Sequence, residues 1–347
     1  MGPNWQDAYN AIDAVFVNHP VYAGAVDEIR DVIELCPVST APCVQISGPS
    51  GVGKSTILER MKIEYPAVKN GAVVQMPGGI IIVCDQYKLL VLEMPEAPTV
   101  KSLARAIIAA YGDQFSCSGD EYTLSQRVDR LIRASGTAAI LIDEANRAVE
   151  RPGTVVSDKL IDWLKSRHGV NSVAIILLGL GRMRHLFEID RQIERRWDAE
   201  IRLEPYRWID KDGQDDLDGQ ANFIGLLAKF RDLSPLPFDF DVEDDDIAFR
   251  FFYLSQGLIG NLKKLLLKSA RLLRRTQAET FDLPLLKLAA ERAFRLEANG
   301  MQNPFAPDFV RRLPPPLEDD YAMVLTKRGP TTTKGRRQKD VARMFVK

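Results

Sequence analysis

The sequence predicts an α/β fold, a parallel β-sheet flanked by helices, with an all-helical domain after it. Three observations carry this. The apolar runs "CVQIS" (43–47), "AAILID" (138–143) and "VAIILLG" (173–179) alternate with helical patterns. Continuous apolar runs bounded by turn or polar signals suit strands buried on both faces of a parallel sheet. A glycine-rich turn, "GPSGVGKS", joins the first strand to a helical segment, and from Pro205 onward the strand signal disappears.

The elements follow in order. Residues 5–17 and 23–35 have amphipathic helical spacing, separated by "NHPVY". After "CVQIS" and the glycine turn, "STILERMKI" is helical. "GAVVQM", a "PGG" turn and "IIIVCD" predict a hairpin at 71–87, inserted before the strand "KLLVLEM". Helices are expected at 100–111 and 123–134, before the two central apolar strands. Beyond Pro205 helical patterns occupy 219–231, 245–256, 260–276 and 284–298. The proline-rich "NPFAPDFVRRLPPPLEDD" is expected to be a linker, followed by a basic tail. The expected domains are therefore 1–205 (α/β, with the N-terminal helices), 206–300 (helical) and 301–347 (linker and tail).

Composition narrows the function classes. The 347 residues carry a formal net charge of −1, so no global basic field announces nucleic acid. The balance conceals an asymmetry: residues 326–347 carry a net +7, leaving about −8 on the body. Four cysteines form no CxxC pair and the three histidines are scattered, which disfavours a zinc site and fits a reducing cytoplasm. The acidic N-terminal stretch lacks a signal-peptide pattern, and no apolar run reaches ~18 residues, so no membrane partner is expected.

Gly48 to Ser55 matches G-x-x-x-x-G-K-[ST] in full. Gly48, Gly51 and Gly53 let the backbone curl so that its N–H groups, with those of Ser50 and Val52, face phosphate oxygens. The following helix, through Thr56, adds its positive N-terminal end. Lys54 reaches the β- and γ-phosphates of ATP, and the Ser55 hydroxyl coordinates Mg²⁺. Hydrolysis needs a second strand, and "AAILIDEANR" delivers Asp143 and Glu144 to its carboxyl end. Asp143 is expected to hold Mg²⁺, and Glu144 to polarise the attacking water.

The stretch "LLGLGRMRHLFEIDRQIERRWDAEIRL" leads from the third apolar strand through a charged helix to Arg195 and Arg196. This order resembles the AAA+ ATPases, P-loop (ASCE) parallel-sheet proteins with a C-terminal helical lid. The resemblance implies that the third strand lies between the P-loop strand and the Asp-Glu strand. It also implies that Arg196, or Arg195, is an arginine finger reaching a neighbouring subunit's nucleotide. A solvated basic helix end is the plain alternative.

Within AAA+ the chain is most similar to the transposition regulators TniB, TnsC and MuB. The similarity rests on the P-loop, "LLVLEMPEAPTVKSLARAII", "LIDEANR", the arginine stretch, "NFIGLLAKFRDLSPLP" and "SQGLIGNLKKLLLKSARLL". It implies a homo-oligomeric ring or filament that binds double-stranded DNA without reading its sequence. Such an oligomer selects target DNA and recruits or activates a transposase, together with a target-selection adaptor. It further implies DNA contacts from Lys101, Arg105, Thr123, Arg127 and Arg130, tracking phosphates along an inner channel. Two departures stand out. Gly179-Leu180-Gly181 occupies the place of a polar sensor, and "GLIGN" leaves Asn261 or Lys263 where a lid arginine is usual. Hydrolysis is therefore expected to be slow. A helicase loader or replication initiator is the alternative; 301–347 is too short and too proline-rich for the DNA-reading domain of an initiator. In the tail, Val341, Met344 and Phe345 suit partner docking.

Overall fold

The computed structural model describes residues 4–15, 20–35, 43–76, 80–113, 119–150, 154–188 and 197–317. Helices α1 (Trp5–Ala14) and α2 (Pro20–Leu35) precede strand β1 (Cys43–Ser47) and helix α3 (Lys54–Glu64). The hairpin β2 (Val68–Met76) and β3 (Ile80–Gln86) leads to β4 (Leu89–Glu93), α4 (Val100–Ala110) and α5 (Glu121–Ala134). Then come β5 (Ala139–Asp143), α6 (Arg147–Glu150), α7 (Thr154–Asn171), β6 (Ala174–Gly179), a 3₁₀ turn (Gly181–Arg184), α8 (His185–Glu188) and β7 (Trp197–Arg202). The sheet order is β4-β5-β6-β1-β7, all parallel, and the β2–β3 hairpin forms a separate antiparallel pair. The third apolar strand thus lies between the P-loop strand and the Asp-Glu strand, as the resemblance implied.

Strand periodicity explains the unbroken apolar runs. Ile140 and Ile142 of β5 pack with α4, α5 and α7 (Leu103, Val128, Leu164), whereas Ala139 and Leu141 pack with α2 and α3 (Ile29, Ile57, Met61). Successive side chains face opposite layers, and both layers are core. Local signals set the helix starts. Thr99 and Ser102 form a reciprocal capping box before α4, and Asp120 caps α5 through the Thr123 N–H at 2.7 Å. Helix α7 has no counterpart in the sequence-based expectation, because Gly153 and Gly169 bracket a segment of mixed polarity.

Four helices form the lid: α9 (Leu217–Leu233), α10 (Asp245–Ser255), α11 (Ile259–Thr276) and α12 (Leu283–Ala293). Their core is aromatic, with Phe223, Phe230, Phe249, Phe251, Tyr253 and Phe281 fully buried. Two groupings differ from expectation. Helix α1 does not join the sheet domain: Ala8 and Ile12 are buried in the lid core, while α2 packs on the sheet through Tyr22, Val26 and Ile29. A short amphipathic helix goes to whichever apolar surface its stripe fits, which its own spacing does not reveal. Residues 301–317, expected as a linker, strap the lid instead. Phe305 is buried against Phe251, Phe309 packs on Tyr253, and Arg250 Nη1 donates to Pro304 O at 2.6 Å. Proline-rich chain lacks a hydrogen-bond ladder but can still anchor through large side chains. The strap ends with Leu317 against the sheet-domain core.

Candidate nucleotide site

The carboxyl ends of the strands gather at one edge of the sheet, where open parallel sheets place ligands. There the Gly48 N–H donates to Gly179 O at 3.2 Å and the Leu203 N–H to Ser47 O at 2.8 Å, pinning the loop after β1 between β6 and β7. Val52 is buried under the loop, and Gly53 (φ +112°) opens α3 with no side-chain cap. The positive N-terminal end of the helix is thus presented to the loop without a capping side chain, a setting that favours an anion. The Tyr22 hydroxyl donates to Val52 O from beneath, and burial pushes its phenol well above the usual range. Lys54 Nζ donates to Gly48 O at 2.7 Å and Pro49 O at 2.9 Å, which sets the ammonium at the mouth of the loop. Ser50, Gly51 and Ser55 lie on the loop and first turn, Ser55 exposed, with the Thr56 N–H bonded to Gly53 O at 2.9 Å.

Asp143 ends β5 beside Glu93 of β4, and its Oδ1 accepts the Glu144 N–H at 2.8 Å. Burial pushes the Asp143 carboxyl up, opposed by that hydrogen bond and by the Lys54 ammonium. Gly179 joins the two motifs: its carbonyl accepts the Gly48 N–H of the loop, and Asn146 from the turn after Asp143 lies against it. Glu144 follows in a left-handed turn (φ +55°), the kind of uncommon backbone conformation that concentrates at functional sites.

Asn146, buried two residues on, is a site residue that the sequence reading missed. Its Nδ2 donates to Glu150 Oε1 at 2.8 Å and Glu144 Oε2 at 3.4 Å, and its Oδ1 accepts the Leu180 N–H at 3.0 Å. The Gly179-Leu180 stretch therefore contributes a backbone donor where a polar side chain was expected. A Cβ on Gly179 would meet Asn146 Oδ1 at 2.9 Å. Desolvation pushes the Glu150 carboxyl up, but Asn146 and Arg182 (Nε at 2.8 Å) outweigh it and hold it below the usual range. The only signal in the sequence was the asparagine of "DEANR" itself, and nothing local says which way it turns.

The lid touches the loop directly: the Gly260 N–H donates to Gly51 O at 2.8 Å. A Cβ on Gly260 would meet Gly51 Cα at 2.8 Å, so only glycine allows this approach. The two lid-sensor candidates are engaged elsewhere. Asn261 Nδ2 donates to Ser255 O at 3.2 Å, and Lys263 pairs with Asp13 of α1 at 3.1 Å. Arg195 and Arg196 lie outside the described residues, just before β7.

Of the expected DNA contacts, Lys101 and Thr123 are exposed in the first turns of α4 and α5, where the Thr123 N–H is donated to the Asp120 cap. Arg130 is exposed on α5. Arg127 instead pairs with Asp113, and Arg105 is half-buried, so these two are not presented with the others.

Sheet order, loop, strand-end carboxylates and lid together define the class: the fold is that of the AAA+ ATPases. Within that class the chain belongs to the bacterial TniB protein family, whose model matches residues 10–207. No curated protein matches the chain. Among solved structures, the ORC2 protein of Aeropyrum pernix (ADPNP–ADP complexes) is similar at 13% identity and TM-score 0.56, covering 84% of this chain and 74% of that one. Cdc6p from Pyrobaculum aerophilum is similar at 10% identity and TM-score 0.56, with 82% and 71% covered. The Aeropyrum pernix ORC1 protein in complex with DNA is similar at 16% identity and TM-score 0.51; 77% of this chain spans 64% of it, less than two thirds. No described helix is long and apolar enough to cross a membrane.

Proposed function

We propose that this chain is a Mg²⁺-dependent ATPase that regulates DNA transposition. It assembles as a ring or filament on duplex DNA of any sequence, selects target DNA and recruits or activates a transposase, with a target-selection adaptor as a further partner. The observation that carries the reading is that the loop bearing Lys54 and the strand end bearing Asp143 and Glu144 meet around Gly179 at the carboxyl edge of the sheet, in a chain of the TniB family. The residues fit the group they would hold. Mg²⁺ commonly takes one or two protein oxygens and completes its shell with water and phosphate, and Ser55 and Asp143 offer that set. The P-loop N–H groups and Lys54 bind the phosphates, while Glu144, oriented by Asn146, accepts a proton from water. Arg196, with Arg195 as the alternative, meets developing charge at a neighbour's site. Bound ATP supplies the phosphoryl group that is lost.

Lys101, Thr123 and Arg130 form the proposed phosphate-tracking edge, with Arg105 and Arg127 behind it. The basic tail docks the partner. Sedimentation with mixed-sequence duplex and a slowly hydrolysed ATP analogue tests the reading: large complexes are expected that ADP does not support. Equal small species with both nucleotides would remove the oligomeric clamp. A strong preference for one short site would favour the initiator reading, which the ORC and Cdc6 likeness keeps as the second one.

A further inference from the structure

The lid helix α11 carries six cations (Lys263, Lys264, Lys268, Arg271, Arg274 and Arg275) and no carboxylate over 18 residues. Among the described residues only Lys263 of these six has an acidic partner, Asp13. A solvated helix face usually mixes signs, and the body of this chain is net acidic, so an unmixed row calls for an anion. Two surface grooves run along the helix. One lies against α1 (Trp5, Gln6, Tyr9), the other toward the end of α12 (Arg292, Ala293). Lys268 and Arg271 line both, so the grooves join into a single trough.

Aromatic rings fix the cations in place. The Arg271 guanidinium lies 5.1 Å from the Tyr9 ring centroid, that of Arg274 5.4 Å from Trp5, and Lys264 Nζ 4.5 Å from Phe294. Tyr9 Oη accepts one N–H of Arg271 at 2.8 Å, and a guanidinium has four more donors. Lys264, Lys268, Arg271 and Arg275 follow i, i+4, i+7 and i+11 spacing, which keeps them on one side of the helix for about 16 Å. Measured along the duplex axis, that length corresponds to about five phosphates of one strand.

We infer that this trough is a second duplex-DNA contact, on the lid and separate from the α4–α5 edge. The inference rests on the DNA-binding part of the proposed function. An evenly spaced row of cations suits a repeating anion better than an acidic peptide; of the α11 leucines, Leu262, Leu265, Leu266 and Leu273 are turned into the lid core, and only Leu267 and Leu272 reach the trough. Because the trough lies within one subunit, it works without assembly. Its helix begins against Gly51, so DNA and nucleotide meet the same rigid element.

The test uses the full chain and a mixed-sequence duplex, with anisotropy followed across a salt series with and without ATP analogue. Lys264→Gln/Lys268→Gln/Arg275→Gln is compared with Lys101→Gln/Arg130→Gln, and retained analogue binding checks that each is folded. The lid variant is expected to flatten the slope of log K against log salt by roughly 2–3, about 0.9 per lost contact, in both nucleotide conditions. Unchanged slope and affinity, with wild type binding DNA, would overturn the lid site and leave the proposed function standing. So would a lid variant that loses only retention on polyglutamate, since that assigns the trough to an acidic polypeptide. If wild type fails to bind duplex even at low salt, the DNA part of the proposed function falls first and this inference goes with it.

Discussion

Asn146 stands between Glu144 and Glu150, its amide nitrogen 3.4 Å from one carboxylate and 2.8 Å from the other, while its oxygen takes the Leu180 N–H. Glu144 is thereby tied to β6 through a residue of its own loop. Replacing Asn146 by alanine leaves the glutamate without that tether and the Leu180 N–H without its acceptor. Turnover is expected to fall roughly tenfold or more, since misplacing a catalytic group by about an ångström is that costly. ATP affinity should change little. Steady-state hydrolysis beside analogue binding checks this, and unaltered turnover would make Asn146 a packing residue only.

The Gly260–Gly51 contact predicts a lid-borne effect on nucleotide affinity. Gly260→Val puts carbon 2.8 Å from Gly51 Cα, so the lid or the loop must shift. Analogue binding is expected to weaken by about tenfold, roughly 1.4 kcal/mol. Gly225→Ala is the control, because nothing lies within 4 Å of a Cβ there in mid-helix. It should leave binding unchanged and raise stability by roughly 0.5–1 kcal/mol. Equal affinities for wild type and Gly260→Val would show that the contact does not report on the nucleotide.

Glu150 has its carboxyl held below the ordinary range in the folded protein. A depressed carboxylate contributes stability that is present above the unfolded value, near 4.3, and lost as pH falls through the folded one. Glu150→Gln removes that contribution. The gap in urea midpoint between wild type and variant should be widest at pH 6–7 and close below about pH 4. A gap of constant size across that range would mean that the charge is not what stabilises the native state.

Sites shared between subunits, as proposed, predict rescue by mixing. Glu144→Gln and Arg196→Ala should each bind ATP but fail to turn it over. An equal mixture should regain part of the activity, because about a quarter of random interfaces pair an intact glutamate with an intact arginine. No recovery from two separately inactive proteins would place the arginine within its own subunit. If Arg196→Ala hydrolyses normally, Arg195 takes its place in the same experiment.

Much of the fold was legible in the sequence because its signals are local. The runs "CVQIS", "AAILID" and "VAIILLG" are largely apolar since core covers both faces, and "GPSGVGKS" and "LIDEANR" are legible at strand ends by their own spacing. The helices expected at 100–111 and 123–134 lie at Val100–Ala110 and Glu121–Ala134, where Thr99 and Asp120 supply the caps. What only the tertiary structure decided depends on residues far apart in the chain. The apolar stripe of α1 is satisfied by lid helices more than 200 residues away, and the prolines of 301–317 hide anchors whose pockets lie on α10. Asn146 bonds a backbone N–H 34 residues on, and Gly260 meets a loop more than 200 residues earlier. A periodicity or motif can state which face is apolar or which turn binds phosphate. Which surface receives that face, and which backbone group completes that turn, is set by packing among distant elements that no local window contains.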